Sequence, residues 1–179
     1  HAGNQADVFK HICLIQAYKS LKKHHNSISY IDTHAGSGDY YFNSDYMSKN
    51  KEYENGINKL ENYKYENQSI KFYLKVLRNI NNSKKLSFYP GSPSIISHLS
   101  DNSDKLSFYE LHNNEFQLLR KKLSKQINSK VFNKDGFDFT NQKINSNEKT
   151  LVLIDPSYEI KNDFEKVVNT LKILDEVHS

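Results

Sequence analysis

The chain has 179 residues, with 25 basic and 21 acidic side chains and a net charge of +4. That length suits one well-packed domain and is too short for two ordinary ones. The mild positive balance permits a nucleic-acid partner without demanding one. The single cysteine, Cys13, excludes a disulfide-stapled scaffold and fits a reducing cytosol. No apolar run approaches the ~20 residues of a membrane span, and no signal-peptide core is present. Neither His1 nor Ser179 reads as a natural terminus, so the sequence is expected to be part of a longer protein. Lys outnumbers Arg 23 to 2 and there are 21 Asn, a bias that fits an AT-rich coding sequence.

Taken in chain order, a helix is predicted after Asn4, with Asn4 as N-cap and Asp7 three residues on. Val8, Ile12, Ile15 and Leu21 carry its apolar spacing to about His24. Ser27–Asp32 reads as a strand, broken at Ala35-Gly-Ser-Gly38. Residues 51–82 predict two helices separated by 63–67, and Leu86–Tyr89 is a short extended piece stopped at Pro90. A helix over about 93–99, a strand over Lys105–Leu111, a helix marked by Phe116, Leu119 and Leu123, and a strand over Lys130–Asn133 follow. Leu151-Val-Leu-Ile154 is a continuous apolar run, as expected of a strand buried on both faces. The last helix spans about 163–177, with Phe164, Val167, Val168, Leu171 and Leu174 in phase. The echo of Lys85-Leu-Ser-Phe-Tyr at Lys105 does not extend further and is not a repeat.

Strands alternating with helices predict parallel βαβ units and a doubly wound α/β sheet. Ligands of such sheets bind outside the carboxyl ends of the strands. Asp32-Thr-His-Ala-Gly-Ser-Gly38 follows the first strand, and its paired glycines would let backbone approach a ligand. It lacks the third glycine of a dinucleotide fingerprint and the Lys-Ser/Thr of a phosphate loop. Glu110 ends the next core strand, where a carboxylate can accept two hydrogen bonds from a ribose. Asp135-Gly136 ends another, and its carboxylate could accept from an adenine amine. Asp155-Pro-Ser-Tyr158 ends the fourth. Its carboxylate and the Pro156 carbonyl could accept both hydrogens of an exocyclic amine, while Tyr158 offers a ring to stack on a base. Each feature alone is as ordinary as a turn, and their recurrence at four strand ends is what carries weight.

These blocks resemble the adenine N6-methyltransferases that use S-adenosylmethionine, whose catalytic motif is Asp-Pro-Pro-Tyr. More narrowly, 1–11, 30–38, 89–93, Tyr109-Glu-Leu-His112, 135–137 and 154–158 are similar, in order, to the RlmJ-type family. That family methylates one adenine of large-subunit (23S) ribosomal RNA and was formerly described as involved in the catabolism of external DNA. The resemblance implies a Rossmann-like methyltransferase sheet over 1–179, a single and partial domain with a helical insertion at about 50–85, truncated at both ends. It implies S-adenosylmethionine bound by His11, His34, Gly36, Ser92, Glu110, Asp135, Gly136 and Asp155, with no metal. Asp155 would accept the proton and orient the amine, helped by Pro156 and Tyr158. Protein-free ribosomal RNA in the cytoplasm would be the substrate, with no membrane partner. The departures are Ser157 in place of the second proline and the missing ends. Alternatives are a DNA adenine N6-methyltransferase and a catalytically inactive nucleic-acid-binding remnant.

Other chemistries fit less well. His24-His25 cannot both face one ion from a helix, and no metal-ligand spacing or nucleophile elbow is present. Lys19, Lys22, Lys23, His24 and His25 could track a phosphate backbone, with Lys71, Lys75 and Arg78 as a second patch and Tyr63 and Tyr65 as stacking rings. With no strand after Leu151–Ile154, that run is expected to be an apolar edge prone to association.

Overall fold

The computed structural model describes residues 2–44, 51–141, 148–158 and 162–178. The chain begins with α1 (Gln5–Lys22), β1 (Ser29–Asp32), β2 (Asp39–Tyr41), a 3-10 turn (Glu52–Glu54), α2 (Ile57–Glu61), α3 (Gln68–Asn81), β3 (Phe88–Pro90) and α4 (Ser92–Leu99). It continues with β4 (Lys105–Tyr109), α5 (Asn113–Lys122), β5 (Ser129–Phe132), a second 3-10 turn (Gly136–Asn141), β6 (Thr150–Leu153) and α6 (Asp163–His178). The chain falls into two compact units, residues 1–20 with 37–100, and residues 21–36 with 101–179. No helix among the described residues is long and apolar enough to cross a membrane.

The first unit is built around an apolar core. Asn4 caps α1 as expected, accepting from the Asp7 N–H at 2.9 Å, while the Asp7 carboxylate reaches the Gly3 N–H at 2.9 Å. Asn67 caps α3 by accepting from the N–H groups of Ser69 and Ile70. Tyr73, Leu74, Val76 and Leu77 of α3 then pack with Val8 and Ile15 of α1, Ile57 of α2, Leu86, Tyr89 and Ile95. Each such side chain contributes about 1.5–3 kcal/mol on burial. Asn82 ends α3 in the left-handed conformation, and the Asn81 side chain ties it to β3 through Ser87 and Phe88. β3 pairs antiparallel with β2.

The second unit carries the sheet. Its strand order is β5-β4-β1-β6, and every pairing is parallel, as the βαβ reading predicts. The chain runs outward from β1 to β4 and β5, then returns to the other side of β1 for β6. The carboxyl ends of β1 and β6 therefore flank the point where strand order reverses, which is where such sheets bind ligands. Tyr30 and Phe108 are fully buried on adjacent strands and meet edge to face at 6.0 Å. At the opposite end, buried Asp104 accepts from the Ile28 N–H at 2.8 Å and from Lys22 at 3.1 Å.

Two expectations about burial are corrected. Leu151–Ile154 is half-buried rather than enclosed on both faces, because β6 lies at an edge of this sheet among the described residues. α6 forms where predicted, yet Phe164, Val168 and Leu171 are 64, 50 and 54 % exposed, while Asp163 and Thr170 are buried. Helical period puts residues on a common face without deciding what that face meets.

Candidate active site

The glycine turn after β1 is held from both sides. The Ala35 N–H donates to the Tyr109 carbonyl at 2.9 Å, and the Thr33 N–H to the Leu153 carbonyl at 3.0 Å. Gly36 sits at φ +61°, a conformation that glycine enters without strain. Its N–H donates to Glu110 Oε2 at 2.8 Å, and the His112 N–H donates to Oε1 at 2.7 Å. Glu110 is 7 % exposed, and each oxygen keeps acceptor capacity beyond the backbone bond it makes. Asp32, at the head of the glycine turn, is fully buried and accepts from the Tyr30 hydroxyl at 3.0 Å. It holds the strand end in shape instead of facing a ligand.

His34 feels the charge of each acidic strand end. Burial holds its imidazole below the ordinary histidine range, although Asp135, Asp155, Glu110 and Asp163 all pull it upward. The ring is therefore mainly neutral at pH 7, and four carboxylates from four parts of this unit act on it electrostatically. The Thr33 hydroxyl lies 2.7 Å from its Nδ1, and the Phe137 ring meets it edge-on at 5.1 Å. The turn after β5 has to be glycine at Gly136, because a Cβ there would overlap the Thr33 carbonyl oxygen. Beside it, Asp135 accepts from the Phe137 N–H and from Lys166 of α6, both at 3.0 Å.

Asp155 is half-buried and Pro156 buried, while Ser157 and Tyr158 are exposed. Thr33 anchors β6 just ahead of them, since its backbone and hydroxyl both donate to Leu153. Tyr158 has φ +57°, uncommon for a bulky residue, and its ring packs on Phe164 of α6 with centroids 4.8 Å apart. A residue held in that region against steric preference is a pointer to function.

Two of the expected cofactor residues belong to the first unit. His11 is 1 % exposed, with Nδ1 2.8 Å from the Tyr89 hydroxyl and Nε2 3.6 Å from Asp7. Tyr89 in turn bonds the Tyr73 hydroxyl at 3.0 Å. Burial would raise the Asp7 carboxyl, but His11, Lys10 and the Gly3 N–H hold it below the usual range. Ser92 opens α4, preceded by Gly91, whose N–H bonds the Gly38 carbonyl at 2.7 Å.

The basic patches are partly spoken for. Lys22 is corrected from a phosphate contact to an internal one, since it pairs with Asp101 at 2.8 Å as well as with Asp104. Lys19 lies over the Phe72 ring at 3.8 Å. Lys71 and Lys75 remain exposed, and Tyr63, 72 % exposed, packs on Tyr65. Thr33, Phe137, Asp163 and Lys166 escaped the sequence reading. Thr33 lies inside the noticed turn and could have been found there, whereas Lys166 is one lysine among many on a helix.

The chain is similar to known proteins over most of its length. The family model described as ribosomal RNA large subunit methyltransferase D, RlmJ, matches residues 25–176. The chain is 36 % identical over 170 residues to ribosomal RNA large subunit methyltransferase J of Escherichia coli, covering 94 % of this chain and 61 % of the relative. The Haemophilus influenzae protein of the same name is 36 % identical over 174 residues, covering 96 % and 62 %. The crystal structure of protein LPL1258 from Legionella pneumophila superposes with a TM-score of 0.88 at 31 % identity, covering 99 % of this chain and 66 % of that one. The chain thus spans a little over three fifths of the curated relatives it matches. With the glycine turn, the acidic strand ends and the Asp-Pro-Ser-Tyr block lying within or around that match, the chain belongs to the family of ribosomal RNA large subunit methyltransferases described as RlmJ.

Proposed function

We propose that this chain is the catalytic portion of an enzyme that transfers a methyl group from S-adenosylmethionine to the N6 amine of an adenine in large-subunit ribosomal RNA. The observation that supports it most is the way the strand ends meet the glycine turn: Glu110 accepts from the Gly36 N–H at 2.8 Å, and Gly136 lies against the Thr33 carbonyl at the start of that turn. The residues suit this cofactor. Glu110 offers acceptors for ribose hydroxyls, Asp135 an acceptor for the adenine amine, and Gly36 and Gly136 close approach of backbone. His11 and Ser92 are carried as further cofactor contacts on the family resemblance, as is the helical insertion at about 50–85. A neutral His34 adds no positive charge near a sulfonium, and the carboxylates around it favour a cation.

The cofactor, when bound, supplies an electrophilic methyl on sulfur. The N6 lone pair of adenine is delocalised into the ring, so the amine is a weak nucleophile. Hydrogen bonds from N6 to Asp155 and to the Pro156 carbonyl would pull that nitrogen toward a tetrahedral shape and localise the pair. Asp155 and the Pro156 carbonyl would hold that nitrogen toward the methyl the cofactor supplies, and Asp155 would take the proton that the amine gives up as its new bond replaces the methyl–sulfur bond. Positioning and electrostatics are the main demands on the protein. The target base must leave its stack at a cost of a few kcal/mol, partly offset by stacking on Tyr158. Ser157 is exposed, so the position of the second motif proline is open to solvent and a serine there is accommodated. An RNA substrate would put the protein in the cytoplasm.

The test is methyl transfer from labelled cofactor to protein-free large-subunit RNA, beside duplex DNA, with the full chain. Labelled N6-methyladenine in the RNA alone is the expected result. Label in DNA would reassign the substrate. No transfer by a protein that binds the cofactor would mark a catalytically inactive relative.

A further inference from the structure

Lys166 stands on α6, outside every motif that carries the family resemblance. Its Nζ donates to Asp135 Oδ2 at 3.0 Å and lies 5.2 Å from the centre of the Phe137 ring. The other carboxylate oxygen, Oδ1, accepts from the Phe137 N–H at 3.0 Å. One donor on each oxygen fixes the plane of the carboxylate, and each oxygen retains a lone pair for another donor. Neither side chain is sealed off: Lys166 is 40 % and Asp135 33 % exposed. The Phe137 N–H and Lys166 outweigh the effect of burial and hold the Asp135 carboxyl below its ordinary range. The same Phe137 ring packs against His34, so the pair is joined to the centre of the acidic cluster.

Resting on the cofactor reading above, we propose that Lys166 is a positioning residue that makes Asp135 an acceptor-only partner for the 6-amino group of the cofactor's adenine. An ionised carboxylate has no hydrogen to give. An amine at position 6 supplies one to it, whereas an oxygen at position 6 would bring lone pairs against a negative charge. The pair would therefore select adenine over a 6-oxo purine, and selection would weaken if the carboxylate lost its fixed plane and its counter-charge.

Calorimetry on the full chain with S-adenosyl-L-homocysteine and its 6-oxo counterpart, S-inosyl-L-homocysteine, tests this. The unaltered protein should bind the adenine compound about tenfold to a hundredfold more tightly, the range expected of a hydrogen bond to a charged group. Lys166→Met should shrink that ratio at least about fivefold, mainly through weaker adenine binding, and Lys166→Arg should restore it. Asp135→Asn, which can donate from its amide, should reduce or reverse the preference independently of Lys166. An unchanged ratio in Lys166→Met, with a lowered melting temperature, would reduce the pair to an anchor for α6 and overturn the proposal. If the unaltered protein binds neither compound, the cofactor reading fails and this inference falls with it. Binding of the adenine compound with an unaltered ratio sinks only the inference.

Discussion

The two units solve the burial of polar groups in opposite ways. In the first, Asp7, His11, Tyr73 and Tyr89 are joined to one another inside an apolar core, and burial pushes the Tyr73 and Tyr89 hydroxyls far above the ordinary tyrosine range. In the second, Glu110, Asp135 and Asp155 stand at strand ends, bonded partly to backbone and partly open. A closed network contributes order and stability, because each group answers another. Carboxylates with acceptor capacity left over are what a ligand requires. The comparison teaches that buried polarity in this chain has two purposes, separable by what a substitution damages.

The largest expected effect tests the open end. Asp155→Ala in the full chain should lower methyl transfer by at least about a thousandfold while leaving stability within about 0.5 kcal/mol, since the residue lies at a strand end. Turnover together with chemical denaturation checks both halves, and retained activity would remove Asp155 from its assigned role. Next come the packed positions. Ile57→Ala, at a fully buried core residue, should cost about 2–5 kcal/mol, whereas Val168→Ala on the exposed stripe of α6 should cost under about 0.5 kcal/mol. Equal losses would mean that the α6 stripe is covered in solution.

Gly136→Ala sharpens the contrast inside the second unit. Its added methyl overlaps the Thr33 carbonyl, so stability should fall by about 1–3 kcal/mol and cofactor affinity with it. Gly91→Ala, where the nearest atoms lie at 3.2 Å, should be milder. Tyr89→Phe, which strips the shared hydroxyl from His11 and Tyr73, should cost about 1–3 kcal/mol.

The smallest effect is a pH slope. His34 has its folded pKa below the unfolded value, so the unfolded chain takes up the proton first. Stability should decline as pH falls through about 6.5 toward the lower folded value, by no more than about 1.4 kcal/mol per pH unit for this group. His34→Asn should flatten that part of the profile in urea titrations at successive pH values. An unchanged slope would show that the imidazole is charged in the folded state.

Much of the fold could be read from local chemistry alone. Asn4 announces a helix start because its side chain satisfies an amide that the helix leaves unpaired, and the structure has that cap, while Asn67, at the end of the break expected over 63–67, caps α3 in the same way. The alternation of apolar runs and helices predicts the parallel sheet, whose carboxyl ends then identify Glu110, Asp135 and Asp155 before any coordinates. Those residues follow from position along the strand, and strand direction is common to every parallel sheet.

What required three dimensions was the pairing between distant residues and the extent of cover. Lys22 reads as a free cation until Asp101 and Asp104 are brought beside it. Lys166 reads as surface charge until α6 meets Asp135. The apolar stripe of α6 has a helical period that says nothing of whether a neighbour covers it. Periodicity and capping are set by a few adjacent residues and the geometry of their own backbone. Ion pairing and burial depend on which parts of the chain approach across space, and only the packed structure decides that.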